Sequence, residues 1–406
     1  MTQAITQLIH HPYQPPDSFA APQPAVHKAS TVFFANVASM RARQWQSKAG
    51  YTYGLHGTPT TFILEERLAA LEGGRQCLLL PSGLAAIALV SFALQKQGDE
   101  VLLPDNAYGP NKALALGELA NFGITHRLYD AMNAADLADK LSERTKLVWL
   151  EAPGSVTMEF PDLSALTALC RAHGAISVLD NTWGAGLAFN PFAFDGEGEG
   201  VDVSVHALTK YPSGGGDVLM GSCVTRDDEL HLALKLTHMR MGWGIGGNDA
   251  ELLLRALPSI ALRYAAQDAA ARDLATWLQE RDEIAQVLHP ALPGSPGHEH
   301  WLALCGGTRD AAGAVPAGRA AGLFSVVFDA RYSAARVDAF CDALQLFKLG
   351  YSWGGPISLA VPYDISLMRD AGVAPWPHQG TLVRLAIGLE APGDLRADLA
   401  QALAVL

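Results

Sequence analysis

From residue 62 onward the chain alternates two kinds of apolar pattern. Residues 62–71 place Leu64, Leu68 and Leu71 on one face at helical spacing and stop at Gly73-Gly74, which predicts a helix with a glycine end. The short apolar runs 77–80, 101–103, 147–150 and 176–179 predict buried strands. Residues 84–95, a segment after Pro110, and 163–172 predict the helices between them. Continuous apolar strands alternating with helices predict a mostly parallel sheet covered on both faces. Two further β-branched runs, 201–205 and 218–224, flank the turn Leu208-Thr209-Lys210-Tyr211-Pro212-Ser213-Gly214-Gly215-Gly216-Asp217. That join is too short for a helix, so Lys210 is expected on a tight turn at the edge of a sheet.

The pattern changes near residue 258. A long helical region spans 249–285, and strands are expected at 323–328 and 382–387, with helices at 334–344 and 394–404. Residues 298–300 and 306–322 read as loop. The expected organisation is an arm at 1–60, a large α/β domain at 61–257 and a smaller α+β C-terminal domain at 258–406. The arm is rich in Pro, Gln and His, weakly periodic, and suited to gripping another subunit.

Composition narrows the function classes. The chain has 406 residues, 49% of them apolar and 17% charged, which makes it globular and large enough for two or three domains. Its net charge of −12 argues against non-specific nucleic-acid binding and against anionic membranes. The longest apolar stretch, 84–94, falls short of the roughly 20 residues that span a bilayer. Met1-Thr2-Gln3-Ala4-Ile5 lacks a basic region followed by an apolar one, so no secretory signal is expected. Cys77, Cys170, Cys223, Cys305 and Cys341 are scattered and never paired as C-x-x-C. All but Cys305 fall in apolar strand or helix patterns, as reduced core thiols of a cytoplasmic protein do. His10-His11 has no partner ligand at metal spacing, and no metal is expected.

In parallel sheets, ligands gather beyond the carboxyl ends of the strands. After Leu80 comes Ser82-Gly83-Leu84, a turn opening a helix, where free N–H groups and the helix dipole suit a phosphate or where Ser82 is an ordinary N-cap. After Leu103 comes Tyr108, either a packed loop aromatic or a ring that stacks on a flat ligand. After Leu150 comes Glu151, and after Leu179 comes Asp180. A carboxylate ending a buried strand needs a cation or a helix to cap. Lys210 alone reads as a solvated turn lysine; held against apolar walls it loses hydration and becomes a neutral amine able to form a Schiff base. Arg384 interrupts an apolar strand, facing either solvent or an inward carboxylate. Gly242-Trp243-Gly244-Ile245-Gly246-Gly247 matches G-x-G-x-x-G but follows a predicted helix, 229–241, which is the wrong context for a dinucleotide. Lys210, Asp180, Tyr108, the Ser82-Gly83 turn and Arg384 are together what pyridoxal 5'-phosphate chemistry needs. They would supply an amine for the aldehyde, an anion for the ring nitrogen, a stacking ring, a phosphate cradle and a clamp for an amino acid carboxylate.

Several longer stretches carry a resemblance. They include Tyr53-Gly54 with Gly57-Thr58, Leu71-Glu72-Gly73-Gly74, Glu151-Ala152-Pro153-Gly154-Ser155-Val156-Thr157-Met158-Glu159, Asp180-Asn181-Thr182-Trp183 and Thr209-Lys210-Tyr211. Others are His289-Pro290-Ala291-Leu292-Pro293-Gly294-Ser295, Tyr351-Ser352-Trp353-Gly354-Gly355, and Gly380-Thr381-Leu382-Val383-Arg384 with Ile387-Gly388-Leu389-Glu390. Over nearly its whole length the chain resembles the Cys/Met-metabolism family of pyridoxal-phosphate enzymes, and within it the bacterial cystathionine β-lyase branch. The resemblance implies the aspartate-aminotransferase-like fold, fold type I, and a tetramer of active dimers in which Tyr53 reaches the neighbour's phosphate. It implies that Thr209 and the Ser82-Gly83-Leu84 turn bind phosphate and that Ser155 lies near the ring. Tyr351, Ser352, Trp353 and Arg384 would hold the substrate. Lys210 would take the Cα proton, and Lys210 or Tyr108 would assist loss of the thiol. The products would be homocysteine, pyruvate and ammonia. The Ser-Trp-Gly-Gly stretch favours a β-lyase over γ-acting members. A cysteine desulfhydrase, a γ-acting enzyme and a non-catalytic cofactor-binding protein are the alternatives.

Three positions depart from the family pattern. Leu55 stands where an arginine is usual. Gly215-Gly216 replaces His-Ser after the lysine. Pro356-Ile357 follows Gly355, where a glutamate is often found. Arg41, Arg43, Lys48 and His56 are the nearby cations that could replace the charge missing at Leu55.

Overall fold

The computed structural model describes Thr6 and residues 19–194, 200–306 and 318–406. His10-His11, the first five residues and most of the 306–322 loop lie outside the described residues. Two sheets organise the chain. The first has seven strands in the order β1-β7-β6-β5-β4-β2-β3. These are β1 Gln76–Leu80, β2 Glu100–Pro104, β3 Thr125–Tyr129, β4 Thr145–Glu151, β5 Ile176–Asp180, β6 Val203–Ala207 and β7 Gly221–Thr225. All neighbours are parallel except β7, which runs antiparallel to both β1 and β6. β6 and β7 are therefore interior strands, and the Lys210 turn lies at the carboxyl end of β6, inside the sheet's width and not at its edge.

The helices are α1 Val37–Arg41, α2 Pro59–Glu72, α3 Gly83–Leu94, α4 Gly109–Leu114, α5 Ala134–Lys140, α6 Leu163–His173, α7 Asp228–Met241, α8 Gly247–Ala256, α9 Ile260–Gln279, α10 His298–Cys305, α11 Ala334–Ala343 and α12 Pro392–Leu403. Their ends follow local chemistry. Thr58 and Thr61 bond reciprocally as a capping box before α2, and Gly73 closes it in the left-handed region. One face of the sheet packs on a core containing Leu80, Ala86, Val90, Leu103, Val203 and Val205. The other face, with Leu79, Leu102, Val148 and Leu179, continues into Ala320 and into Val327 and Leu382 of the second sheet. Residues buried on both faces explain the unbroken apolar runs.

The second sheet has the order β10-β11-β12-β9-β8 and is antiparallel apart from the β10/β11 pair. Its strands are β8 Ile284–Leu288, β9 Leu323–Phe328, β10 Lys348–Leu349, β11 Leu359–Tyr363 and β12 Leu382–Ala386.

The structure corrects several expectations. Residues 284 and 285 open β8 and do not end the long helix, because α9 stops at Gln279. His298-Glu299-His300 begins α10, whose buried side is Trp301 and Cys305 at i,i+4 spacing. Cys305 thus lies in a helix and is buried, as the other four thiols are. Residues 218–220 precede β7 as irregular backbone that turns beside Thr209. β3, with its polar sequence Thr-His-Arg-Leu-Tyr, and β11, which carries Pro362, escaped the pattern. Both depart from the apolar, β-branched composition that marks a buried strand.

Candidate active site

The carboxyl ends of β4, β5 and β6 lie side by side in the middle of the first sheet. Glu151 pairs in register with Asp180, and Asp180 with Val205. The chain leaves β6 into the Lys210 turn, where Lys210 N–H donates to Ala207 O at 3.1 Å and Ser213 Oγ donates to Thr209 O at 2.8 Å. The turn is tied to the second half of the molecule. Tyr211 is fully buried, its hydroxyl accepts the Gly322 N–H at 2.8 Å, and its ring centroid is 4.8 Å from that of Tyr264. The 350–355 segment passes so closely that a Cβ on Gly354 would stand 2.9 Å from Tyr211 N, and Gly354 has φ +79°. Only glycine meets both conditions without displacement.

That close approach sets the lysine in place. Lys210 Nζ donates to Ser352 Oγ at 2.7 Å and sits 5.3 Å from the centre of the Trp353 ring. Burial and the Arg384 guanidinium press its pKa down to about 8, against the opposing pull of Asp180. Ser352 adopts φ 112°, a conformation that costs a non-glycine residue about 1–3 kcal/mol. The strain falls on the residue that meets Lys210 with its hydroxyl and Arg384 with its carbonyl, Arg384 Nη2 donating at 3.4 Å.

Arg384 faces inward from β12, only 8% exposed. The Tyr363 ring lies 5.4 Å from its guanidinium carbon, and burial lowers its pKa. Its Nε is buried with no hydrogen-bond partner among the described residues. A buried guanidinium lacking a counter-charge costs several kcal/mol, which an incoming carboxylate would offset through a two-point contact. On β5, Asp180 Oδ1 accepts from Thr182 N–H at 3.1 Å and Thr182 Oγ at 2.6 Å. Burial raises the Asp180 pKa, and the Thr182 donors, His206 and Lys210 pull it back.

Beyond β1, Ser82 Oγ accepts Ala85 N–H at 3.0 Å as the N-cap of α3. A Cβ on Gly83 would stand 2.6 Å from Ala207 Cβ, so this helix start rests against the end of β6. Leu84 lies in its first turn, 40% exposed. Thr209 Oγ exchanges 3.3 Å contacts with Met220. These groups fit pyridoxal phosphate: a lysine poised to lose its proton, an acceptor at a strand end, a helix start for phosphate, and an orphaned arginine donor for the substrate. Comparison with known proteins decides the class. The family model described as Cys/Met metabolism PLP-dependent enzyme matches residues 5–404.

The chain belongs to that family.

A Rhizobium johnstonii protein is 40% identical over 397 residues, covering 97% of this chain and 94% of its own. A Bordetella avium protein named cystathionine β-lyase is 38% identical, with 98% and 97% covered. The crystal structure of a Xanthomonas oryzae cystathionine γ-synthase with aminoacrylate and cysteine superposes with a TM-score of 0.83 at 29% identity, covering 96% of each chain. The family's enzymes depend on pyridoxal phosphate, and so does this one.

Tyr108 and Tyr351 interact electrostatically with Arg384. Tyr108, 43% exposed, starts α4; its N–H donates to Glu151 Oε2 at 2.7 Å, and burial, Asp180 and Glu151 raise its phenol pKa. Ser155 N–H donates to Asn106 O at 2.8 Å, two residues before Tyr108. Tyr351 is 80% exposed, its ring 6.5 Å from that of Tyr363. Tyr53 is 44% exposed, touching Ser30 Oγ at 3.3 Å and the edge of His56. The glycine-rich 242–247 stretch follows helix α7 and opens α8, far from the geometry of a dinucleotide site. Sequence reasoning missed Tyr363, because β11 went unseen. It also gave no role to Glu151, whose carboxyl burial pushes well above its usual range beside Asp180. Among the described residues no cluster of three or more metal-type ligands occurs, and no helix is long and apolar enough to cross a membrane.

Proposed function

We propose that this enzyme is a carbon–sulfur β-lyase that cleaves L-cystathionine, or a related cysteine S-conjugate, to homocysteine or another thiol, pyruvate and ammonia. The observation that carries it is the junction of Lys210, Ser352, Trp353 and Arg384, where Lys210 Nζ meets Ser352 Oγ and the buried Arg384 keeps its Nε without a hydrogen-bond partner among the described residues. Relatives named cystathionine β-lyase at 38% and 35% identity support the substrate class.

The residues would divide the work as follows. Arg384 binds the substrate carboxylate and, with Ser352 and Tyr351, fixes its orientation, and Trp353 walls the site from water. Asp180 would hold the ring nitrogen protonated, Tyr108 and Ser155 would hold the ring, and Ser82, Gly83, Leu84 and Thr209 would hold the phosphate. The cofactor, when bound, supplies an electron sink for the pair released at Cα. Lys210 removes the Cα proton; with a pKa near 8 it is close to the Brønsted optimum at neutral pH. The Cβ–S bond then breaks with its electron pair on sulfur, and Lys210 or Tyr108 returns a proton to that sulfur. The protein works as a cytoplasmic homotetramer, a dimer of dimers in which Tyr53 of one copy completes the phosphate site of the other. The exposed arm aromatics Phe19, Phe33, Tyr51 and Tyr53 support that assembly.

The test is product analysis with cystathionine. Equal pyruvate and homocysteine support the reading. Cysteine with a 2-oxo acid of four carbons would assign a γ-lyase, and hydrogen sulfide from cysteine alone a desulfhydrase.

A further inference from the structure

A polar node joins the C-terminal part of the chain to the loops around Tyr108. After β11 the chain runs through a turn at Ile365–Leu367 to Arg369, a residue whose side chain is 6% exposed. Arg369 Nε donates to Asp105 Oδ2 at 2.6 Å, and its Nη1 donates to Glu159 Oε2 at 2.8 Å. The next residue, Asp370, donates its N–H to Asp105 Oδ1 at 3.0 Å. Lys112 Nζ bridges Asp105 O and Met368 O at 2.6 and 2.5 Å. Asp105 and Glu159 are both buried, so each needs these partners.

What the two acids hold is the point of interest. Asp105 stands three residues before Tyr108. Glu159 Oε2 also accepts from Asn106 Nδ2 at 2.8 Å and Thr157 Oγ at 2.9 Å. Asn106 O in turn receives the Ser155 N–H. Tyr108 and Ser155, on different loops of the first sheet, thus depend on one node whose cation comes from the second half of the chain. The same strap begins at Tyr363, whose ring lies against Arg384. Tyr108 is nearly half exposed, and its ring position therefore follows its backbone.

We propose that Arg369 is a positioning residue: through Asp105 and Glu159 it sets the loops bearing Tyr108 and Ser155, and couples them to the carboxylate pocket at Arg384. The inference rests on the lyase reading above. Ångström-scale misplacement of a stacked residue costs rate more than binding, on the order of ten- to a hundredfold.

The experiment compares cofactor-loaded parent, Arg369→Gln, Asp105→Asn and the double variant. It measures kcat, KM, melting temperature, and amide hydrogen exchange in peptides covering 104–112 and 153–159, with β9 as control. The expected result for Arg369→Gln is a kcat lower by about tenfold or more, with KM changed far less. Exchange should be faster in both loops and unchanged in β9. The double variant should be little worse than Arg369→Gln alone, because both act through one contact. A lower melting temperature with normal kcat and normal loop exchange would overturn the proposal, leaving Arg369 as a stabilising residue only. Should Arg369→Gln fail to fold, Asp105→Asn, which keeps its size and its oxygen for Asp370, decides by the same readouts. If the parent itself releases no pyruvate, the lyase reading fails instead, and loop exchange still judges the coupling.

Discussion

Lys210 and Tyr53 stand at opposite extremes of completeness. Around Lys210 one chain brings together Ser352, Trp353 and Arg384 from sequence positions more than 140 residues away, and Asp180 from thirty residues before. The close passage of Gly354 and the buried Tyr211 hold that junction. Around Tyr53 the same chain supplies Ser30 and His56 and leaves the ring half exposed. The Lys210 junction is thus closed within one chain, whereas Tyr53 keeps an exposed face, as the proposed assembly requires. The difference also separates two kinds of substitution, those that stop turnover and those that loosen the cofactor.

The sharpest break is Lys210→Ala. On the proposed reading it removes the group that receives the aldehyde and moves the Cα proton, so pyruvate release should fall to background while folding persists by circular dichroism. Next in size is Arg384→Gln. Loss of two charge-assisted hydrogen bonds at about 1.5–3 kcal/mol each should lower kcat/KM by roughly a hundredfold or more. The same variant removes a cation that disfavours the Lys210 ammonium. Below pH 8 the parent's lysine is mostly charged and above it mostly neutral, so cofactor capture by the stripped enzyme should rise through about pH 8. In Arg384→Gln that midpoint should move to higher pH; an unmoved midpoint, read by stopped-flow absorbance, would separate the two groups. Asp180→Asn should keep the fold and cofactor phosphate contacts yet reduce kcat strongly, which steady-state kinetics would show.

The smallest effect belongs to the arm. Leu55 packs against Gly244, within 2.9 Å of where a Cβ there would be. Of the cations considered for the missing charge, Lys48 is bound to Glu65 and Glu66 at 3.1 and 2.6 Å, and Arg43 donates to Met40 O. His56 is within 2.6 Å of Thr52 Oγ. With compensation from one of Arg41, Arg43, Lys48 and His56 together with the α3 start, Leu55→Arg should change the pyridoxal phosphate dissociation constant by less than about tenfold. A larger gain by equilibrium dialysis would show that the arm lacks a cation.

The doubly covered core was legible because burial on both faces forces unbroken apolar runs, as in β1, β2 and β4. β3 and β11 were not, since an edge strand rich in polar residues and a strand containing proline carry little periodic signal. Lys210, Asp180 and Arg384 could be read because a charge at the end of, or within, an apolar strand demands an explanation. The orientation of Arg384 could not, since alternation leaves both faces open and only the packing of β12 against Tyr363 decides. The Arg369 node was invisible for a different reason: its partners lie 264 and 210 residues away, and ordinary Asp, Glu and Arg side chains become a junction only when the two sheets meet.

Borohydride trapping decides whether Lys210 carries the cofactor. The loaded enzyme would be reduced, digested and mapped by mass spectrometry. The account predicts a single pyridoxyl-phosphate adduct on Lys210, lost when substrate is present during reduction. An adduct on Lys112 or Lys235, or none on any lysine, would contradict it.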